Sequence, residues 1–580
     1  MLKPLLFLAG LALPLALAAQ QTNILTTNAL AEQILLGNYD PADYAPATTT
    51  PAPSMLAAQL NARISPDSLK TSILQLSTFR NRNSGADTLS ATIGIGAARR
   101  WVYQQFVQYS AANNGRLVTS YLQFDQEICG AGQHRNIIAV LPGTDTSQHG
   151  VILLEGHIDS RCAGLCDTTC VAEGIEDNAT GTALVMELAR VMSQFSYPNT
   201  IVFMVTIAEE QGLYGAAAFA EYVQQKNIPL RAVLNNDVIG GIICGETSSP
   251  PSCSGFNDID STSVRMFSFG GFNSRHKQLA RFIKLEYREN ILPIAAVPMN
   301  LRVMSPEDRT GRGGDHIPFR ERSYTAMRFT SANEHGNAAV GPNYTDRQHT
   351  SSDVLGVDTD SDGEIDSFFV DFNYLARNAI INANAAAMAA YGVPTPTDFN
   401  GARSGNQLTV QVTDPAQVGA YRVALRSVSA DWDTVYTLPG ATTGIFPCNP
   451  TGALFLSVSA VNGQGVESLF TGEKIVAASS ATNEPGEPAE ANIRLFPNKP
   501  NPFDEATWLS FWVNEVPVYR RAALQISDTQ GRIIETLPLR LQAGMNEMLY
   551  THGYGVRGTF TYTLTVDGRP VEARQMVFAN

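Results

Sequence analysis

The sequence lacks a surplus of basic residues. Its 40 Lys and Arg residues are outnumbered by 54 Asp and Glu residues, which gives a formal net charge of −14 at pH 7. Proteins that grip the phosphates of nucleic acid present clustered positive charge, so we expect no nucleic-acid partner. Gly and Pro number only 46 and 31 in 580 residues, and hydrophobic residues make up 44%. These values exclude a collagenous chain and a wholly disordered one.

The sequence also lacks an apolar run long enough to cross a bilayer. The run over residues 4–17 is shorter than the ~20 residues that a membrane-spanning helix needs, and no second such run follows. Lys3 precedes it, and Ala-Leu-Ala at residues 16–18 ends it like a cleavage site, a pattern typical of a signal peptide. We therefore predict that residues 1–18 are a signal peptide and that the mature protein is secreted or lies at the cell surface, with no stable membrane span.

Cysteine is scarce, with seven residues in the chain. Export makes them candidates for disulfides, and an odd count leaves at least one unpaired in the monomer. An insertion, SRCAGLCDTTCVAEG, contains Cys162, Cys166 and Cys170. A thiol metal site is conceivable there, but an oxidising route favours disulfides. Our expected pair is Cys244 with Cys253, which flank a Pro- and Ser-rich loop.

The chain divides into several segments. Residues 19–60 are polar and rich in Thr, Pro and Ala, which predicts a leader, linker or propeptide. Over residues 61–391 apolar runs alternate with amphipathic stretches, which predicts an α/β domain with a mostly parallel mixed sheet flanked by helices. Beyond it, alternating β-type stretches predict two small all-β sandwich domains, at 394–477 and 493–580, joined by a linker over 478–492.

Acidic and histidine side chains follow the apolar runs of the predicted α/β domain. They are His157 and Asp159 after VILLEG, Asp177 in GIEDNATG, Glu209 and Glu210 after TIVFMVTIA, Asp237 after RAVLNN, and His349 in the loop after TAMRFT. Open α/β sheets bind their ligands beyond the carboxyl ends of the strands. Imidazole and carboxylate are zinc ligands, and a carboxylate has two oxygens with which to bridge two ions.

Each of these groups has a structural explanation when it is taken alone. His157 and Asp159 could form a satisfied buried pair, and Asp237 could cap a helix. Together they would bury much charge in one place, and buried charge must be paired or bound to metal. The whole set therefore predicts a two-metal site.

Six motifs carry a resemblance to a known family. GHIDS, GIEDNATG, AEEQGLYGA, NNDVIG, GGDHIPF and RQHTSSD occur in this order, as they do in the secreted di-zinc aminopeptidases of metallopeptidase family twenty-eight. The chain resembles these zinc exopeptidases, which have a phosphorylase/hydrolase-like fold, over about residues 61–391. The resemblance implies a secreted enzyme with two Zn²⁺ that removes N-terminal residues from peptides with a free N-terminus.

The resemblance also implies a role for individual residues. One zinc would be held by His157 and Asp237, the other by Glu210 and His349, with Asp177 bridging both. Glu209 would be the general base, and Asp159 would orient the ring of His157. The loop GGDHIPF contains Asp315 and His316, which either contact the substrate or only stabilise the loop.

Two other functions stay open. A glutaminyl cyclase uses the same fold with one zinc and hydrolyses no peptide bond, and the five-ligand set argues against it. A catalytically silent surface-binding protein would have no need of Glu209.

A second acidic motif, GVDTDSDGEIDSFF, places Asp358, Asp360, Asp362 and Asp366 at near-alternate positions around Gly363. Oxygen-rich calcium loops have this character. The spacing matches a twelve-residue calcium loop only in part, so both a Ca²⁺ site and a solvated acidic loop fit it.

The C-terminal regions carry two further resemblances. Residues 394–477 resemble a fibronectin type III sandwich, on strand alternation and Trp432 alone. The last segment resembles the sorting domain of type IX secretion in LFPNKPNPF, LQISDTQGRII and LQAGMNEM. That resemblance implies outer-membrane export with the secretion machinery as a partner, and a generic adhesion sandwich is the alternative.

Overall fold

The computed structural model describes most of the chain. The described residues are 21–46, 50–147, 149–244, 258–270, 274–304, 307–308, 313–333, 347–363, 365–416, 418–427, 430–449, 454–476, 493–499, 501–503, 506–552 and 557–579. The predicted signal peptide, the predicted linker over 478–492 and Cys253 lie outside them. Within the described part, no helix combines the length and the hydropathy needed to cross a membrane.

The first domain is built on a nine-stranded mixed sheet. Its strands are β1 (Thr22–Thr26), β2 (Val118–Ile128), β3 (Ala131–Leu141), β4 (Val151–His157), β5 (Thr200–Thr206), β6 (Leu230–Asn236), β7 (Ser263–Ser268), β8 (Asn300–Val303) and β9 (Ala326–Ser331). Their order is β1-β2-β3-β5-β4-β6-β9-β7-β8. The central strands β5, β4, β6 and β9 pair in parallel, as do β7 and β8. The predicted mixed α/β sheet is confirmed, although its flanks are antiparallel.

Nine α-helices accompany this sheet in the described residues. They are α1 (Ala29–Leu35), α2 (Pro53–Arg63), α3 (Pro66–Ser77), α4 (Gly94–Ala112), α5 (Thr180–Met192), α6 (Tyr214–Gln225), α7 (Arg275–Glu286), α8 (His316–Glu321) and α9 (Phe372–Tyr391). Helices α5 and α9 pack on each other and on the central strands, whereas α6 packs on α8. Every residue of β4 and β5 is buried, as expected for parallel strands covered on both faces.

Part of residues 19–60, the segment predicted to be a leader, linker or propeptide, packs on the first domain. Strand β1 pairs with β2 at the edge of the nine-stranded sheet. Leu35, Leu56 and Leu60 from α1 and α2 are fully buried in the core of the first domain. The polar, Thr- and Pro-rich composition concealed this packing because only a few positions on each short helix face inward.

Disulfides clamp the insertion that follows β4. Cys162 bonds to Cys170 within the insertion, and Cys166 bonds to Cys129 at the turn between β2 and β3. The alternative of a thiol metal site is therefore wrong, because all three insertion thiols are already bonded. Cys244 is also disulfide-bonded.

Two small β-sandwiches follow the first domain. The first contains β12 (Asp398–Ser404), β13 (Gln407–Thr413), β14 (Ala420–Arg426), β15 (Thr434–Pro439), β16 (Thr443–Pro447), β17 (Leu454–Val461) and β18 (Lys474–Val476), in sheets β12-β13-β16 and β15-β14-β17-β18. The second contains β19 (Ile493–Leu495), β20 (Ala506–Val513), β21 (Ala522–Ser527), β22 (Ile533–Leu539), β23 (Gly544–Thr551), β24 (Gly558–Val566) and β25 (Arg569–Phe578), in sheets β19-β20-β23 and β22-β21-β24-β25. Each sandwich has its own hydrophobic core. A short hairpin of β10 (Gly356–Val357) and β11 (Ser367–Phe368) belongs to the first domain.

The first sandwich packs firmly on the α/β domain. Trp432 and Phe470, with ring centroids 4.2 Å apart, lie in the core of the α/β domain rather than in that of the sandwich. Glu473 forms ion pairs with Arg281 of α7 at 3.3 Å and with Arg426 of β14 at 2.7 Å, all three side chains being fully buried. Trp432, on which the resemblance to a fibronectin type III sandwich partly depends, therefore belongs to the interdomain contact.

A cluster of carboxylates shares this interface. Glu467 of the sandwich and Glu286 at the end of α7 are both buried, and Arg422 contacts Glu467 at 3.4 Å and Glu289 at 2.6 Å. Burial raises the pKa of Glu467 to about 7, with Arg422 opposing this rise and Glu289 adding to it. Burial, Glu467 and Glu289 raise the pKa of Glu286 well above its ordinary value.

We expect the interface to weaken as the pH rises. A carboxyl whose folded pKa is raised contributes its full stability below its unfolded pKa of about 4.5 and loses it as the pH passes the folded value. Glu467→Gln, which imitates the protonated form, should be more stable than the wild type at pH 8 by about 1–3 kcal/mol, and this advantage should vanish near pH 5. Thermal unfolding midpoints across pH 5–8 test this, with the exposed Glu321→Gln as a control. A pH-independent difference would contradict it.

Candidate metal centre

The predicted acidic and histidine side chains meet at the carboxyl edge of the central parallel strands. His157 ends β4, the pair Glu209-Glu210 follows β5, and Asp237 follows β6. Asp177 lies in the turn Ile175–Ala179 directly before α5, and its own backbone dihedral angles are non-helical. Parallel strands bring their carboxyl ends to one edge of a sheet, so residues far apart in sequence converge there.

The carboxylate of Asp177 lies between two imidazoles. Its Oδ1 is 3.1 Å from Nε2 of His157, and its Oδ2 is 2.8 Å from Nε2 of His349. The same Nε2 of His157 is 3.3 Å from Oδ1 of Asp237. The same Nε2 of His349 is 3.1 Å from Oε2 of Glu210. Two groups of three side chains therefore share one bridging carboxylate.

These atoms fit two zinc ions. Ligand atoms each about 2.0–2.1 Å from a tetrahedral zinc lie about 3.3 Å apart, close to the separations seen here. Oε1 of Glu210 is buried without a hydrogen-bond partner, an arrangement that a bound cation would relieve. Imidazole nitrogen and carboxylate oxygen are also the donors that zinc prefers when thiolates are absent.

The electrostatics show how strongly the site attracts positive charge. Burial opposes protonation of His157 and His349, yet neighbouring carboxylates, chiefly Asp237 for His157 and Glu210 for His349, raise the pKa of each ring. Burial alone would raise the pKa of Asp177, but hydrogen bonds from the two imidazoles hold it well below its usual range. The protons on these rings stand where metal cations would bind, and binding would release them.

Glu209 lies beside the first group. One of its carboxylate oxygens is within 4.8 Å of the ligand atoms of His157 and Asp237, and its side chain is half-buried. Burial raises its pKa well above the ordinary value, His157 opposes the rise, and Asp237 adds to it. A carboxyl of raised pKa next to a metal group is suited to accept a proton from water.

Asp159 contacts His157 through its main-chain carbonyl oxygen, and its carboxylate has a separate role. Its main-chain carbonyl oxygen lies 3.0 Å from Nδ1 of His157, whereas its carboxylate is 3.6 Å away. The carboxylate accepts hydrogen bonds from the backbone N–H groups of Glu209 and Glu210, at 3.3 and 3.2 Å. The carbonyl thus orients the ring, while the carboxylate positions the Glu209-Glu210 turn.

Asp315 and His316 are packed inside the domain, at the start of α8. Both side chains are fully buried. Asp315 accepts a hydrogen bond from the hydroxyl of Thr206, and Nε2 of His316 lies 3.1 Å from the carbonyl oxygen of Glu307. Burial raises the pKa of Asp315 to about 7 and lowers that of His316 to about 4. This packing favours the role of stabilising the loop over that of touching substrate.

Sequence reasoning missed three residues that hold the ligands in place. Asp353 accepts hydrogen bonds from the backbone N–H groups of Glu176 and Asp177, at 2.9 and 3.1 Å. Gln348 donates a hydrogen bond to Oδ2 of Asp177 at 2.8 Å. Arg328, fully buried in β9, contacts Oδ2 of Asp237 at 3.0 Å. A lone arginine inside the apolar run TAMRFT was the signal that could have found it.

The acidic loop between β10 and β11 is separate and exposed. Carboxylate oxygens of Asp358, Asp360 and Asp366 lie within 4.8 Å of one another. Asp362, also predicted, is not in this group. Asp358 accepts backbone hydrogen bonds from Ser361 and Gly363, at 2.6 and 2.8 Å, and two short strands rather than two helices flank the loop.

We expect Arg328 to be needed for the fold of the centre before any metal binds. Its guanidinium also contacts both oxygens of the buried Asp308 at 3.1 Å. Arg328→Met would leave two buried carboxylates without their cation, at a cost of about 3–5 kcal/mol. Thermal unfolding in excess chelator measures this free of metal effects, and the half-exposed Arg302→Met is the control. Equal unfolding midpoints for the two variants would contradict the expectation.

Comparisons with known proteins agree with this centre. Residues 136–249 match peptidase family M28. A probable zinc metalloprotease of Leptosphaeria maculans is 30% identical over 400 residues, 66% of this chain and 88% of that protein. One of Pyricularia oryzae is 32% identical, over 60% of this chain and 70% of that protein. The solved LapA aminopeptidase of Legionella pneumophila is 19% identical with a TM-score of 0.40, over 58% and 76% of the two chains. The chain belongs to peptidase family M28, and the relatives that show this are probable zinc metalloproteases.

Proposed function

We propose that the chain is a secreted aminopeptidase that uses two zinc ions to hydrolyse the first peptide bond of substrates with a free N-terminus. The observation that carries the two-metal part is the position of Asp177, whose oxygens face His157 at 3.1 Å and His349 at 2.8 Å. A single-zinc site would have no use for a carboxylate shared in this way.

The roles of the side chains follow from their positions. His157 and Asp237 would hold one ion, Glu210 and His349 the other, and Asp177 would bridge them. Two ions held there would supply a Lewis acid for the scissile carbonyl and a water of lowered pKa. Glu209 would take the proton from this water and return it to the leaving amine. The carboxylate of Asp159 holds the Glu209 backbone, and so keeps the base at a constant distance from the site.

Specificity for the N-terminus rests on the motif resemblance to secreted di-zinc aminopeptidases. The secreted location rests on the signal-like residues 1–18 and agrees with the two disulfides of the insertion, because disulfides persist in oxidising compartments. The last sandwich would serve the secretion machinery, and the sandwich before it, of fibronectin type III character, would brace the catalytic domain.

Replacing the proposed base separates this function from the alternatives. Glu209→Gln should lower kcat for amino-acid anilides by about 10²–10⁴-fold, because only the proton transfer is lost, while the zinc content stays at two per chain. The measurements are turnover, with an N-terminally blocked anilide as a negative substrate, and metal analysis. The exposed Glu127→Gln is the matched control.

Other outcomes would point elsewhere. Cyclisation of an N-terminal Gln peptide, with one zinc per chain, would favour a glutaminyl cyclase. Cleavage of the blocked substrate would contradict exopeptidase specificity. Two zincs without any turnover would favour a silent surface-binding protein.

Calcium binding by the acidic loop is a separate and weaker part of the proposal. The close carboxylates of Asp358, Asp360 and Asp366 support it, and their exposure fits a solvated loop equally well. Calorimetric titration of zinc-loaded protein with Ca²⁺ should show one site that is lost in Asp360→Asn. Absence of heat in the wild type would reduce this motif to a solvated loop.

A further inference from the structure

Arg161 lies against both outer ligands of the second metal group. Its Nε donates a hydrogen bond to Oε2 of Glu210 at 2.8 Å, and its Nη2 lies 2.7 Å from Nδ1 of His349. Its Nη1 is 3.3 Å from the carbonyl oxygen of Cys162. The side chain is 11% exposed, so it stands between the group and the solvent.

The contact between Arg161 and His349 is incompatible with metal binding because the two require the ring proton on different nitrogens. A guanidinium has only donors, so a hydrogen bond from it to Nδ1 of His349 requires that Nδ1 carry no proton and that the ring proton lie on Nε2. Nε2 is the nitrogen that faces Asp177 and Glu210, and therefore the one that would bind metal. A neutral imidazole bound through Nε2 carries its proton on Nδ1 and donates it outward. Arg161 and a metal ion therefore cannot both hold the neutral ring of His349.

The contact between Arg161 and Glu210 is incompatible with metal binding because two cations would lie at the same carboxylate oxygen. Oε2 of Glu210 is shared by Nε of Arg161 and Nε2 of His349, at 2.8 and 3.1 Å. A divalent ion bound to this oxygen would place two further positive charges within a few ångströms of the guanidinium. Like charges repel at such distances in a site shielded from water, so the guanidinium has to withdraw when the ion enters.

The first metal group has an arginine that makes no such conflict. Arg328 contacts Oδ2 of Asp237, whereas the oxygen that faces His157 is Oδ1. Arg328 therefore supports its carboxylate from behind and leaves the ligand atom open. Both groups include Asp177. They differ in the nearby arginine: Arg328 contacts an oxygen that does not face His157, whereas Arg161 contacts the ligand side chains at the second group directly.

The insertion holds Arg161 where it is. Cys162, the next residue, is bonded to Cys170, and Cys166 ties the same loop to Cys129. The backbone that follows Arg161 is thereby anchored by two disulfides, so we expect withdrawal to occur by rotation of the side chain toward solvent. The loop thus keeps a cation next to the second group without closing it.

We infer that Arg161 is an internal competitor of the second metal ion: its guanidinium occupies Glu210 and His349 when that ion is absent and must be displaced for it to bind. The second site is therefore weaker than it would be without Arg161. This inference rests on the two-metal site of the proposed function and adds that the affinity of one site is set by a residue that is not a ligand.

The test measures metal affinity rather than activity. Full-length protein is stripped with chelator and titrated with Zn²⁺ against a chromophoric chelator, as wild type, Arg161→Gln and Arg161→Lys. Arg161→Gln should bind the second zinc about 10- to 100-fold more tightly, the range expected for loss of a competing charge-assisted hydrogen bond, with the first site unchanged. Arg161→Lys, which keeps the charge and loses the two-point contact, should lie between.

Each result has a separate meaning. Arg302→Gln removes one exposed positive charge of the same domain and should leave both affinities unchanged. An unchanged or weakened second site in Arg161→Gln, in protein that keeps the wild-type unfolding midpoint, would overturn the role of Arg161. If Arg161→Gln fails to fold, Arg161→Lys with unchanged second-site affinity would do the same. Binding of only one zinc by wild type and variants alike would instead overturn the two-metal proposal.

Discussion

The shared carboxylate of Asp177 is the contact on which the centre depends. One oxygen faces His157 and the other His349, so a shift of this residue would disturb both groups at once. Its position is accordingly held from several directions. Asp353 accepts a hydrogen bond from the backbone N–H of Asp177, and Gln348 donates one to Oδ2 of Asp177. The turn that contains Asp177 leads directly into helix α5. Because these partners are buried as well, their hydrogen bonds offset the cost of burying the charge of Asp177.

The sheet explains why the ligands can come from distant parts of the sequence. Strands β4, β5 and β6 are adjacent and parallel, so the residues after them arrive at one edge with spacings fixed by the sheet. Strands β4 and β5 are buried along their whole length, which makes the edge rigid. The proposed proton transfer is thus carried out by a residue on a turn, Glu209, and Asp159 holds this turn through two hydrogen bonds.

The convergence of the ligands could be predicted because it depends on a local rule, polar residues at the ends of apolar strands. The helpers could not, because their role exists only in three dimensions. Arg328 is 91 residues from Asp237, whose main-chain oxygen it also contacts, and nothing in the pattern around either marks the pair. The edge strand β1 was not predicted for a related reason: a strand of five residues at a sheet edge carries little apolar signal. Asp159 was recognised, but the division of work between its carbonyl and its carboxylate is a matter of ångströms that spacing does not encode.

The two arginines near the centre show that charge balance and ligand access are separate constraints. Arg328 is fully buried and pairs with a carboxylate oxygen turned away from the ligand atoms. It reduces the cost of burying Asp237 whether or not metal is present.

Arg161 is partly exposed and contacts the ligand side chains directly, so it neutralises Glu210 only until a metal ion displaces it. A centre with four carboxylates, Asp177, Glu209, Glu210 and Asp237, would otherwise repel itself, and Arg161 adds a positive charge beside Oε2 of Glu210, the oxygen that His349 also contacts. The contacts of Arg161 therefore stabilise the ligand side chains before a metal ion binds and weaken the binding of that ion, and a side chain that is 11% exposed can leave these contacts toward solvent.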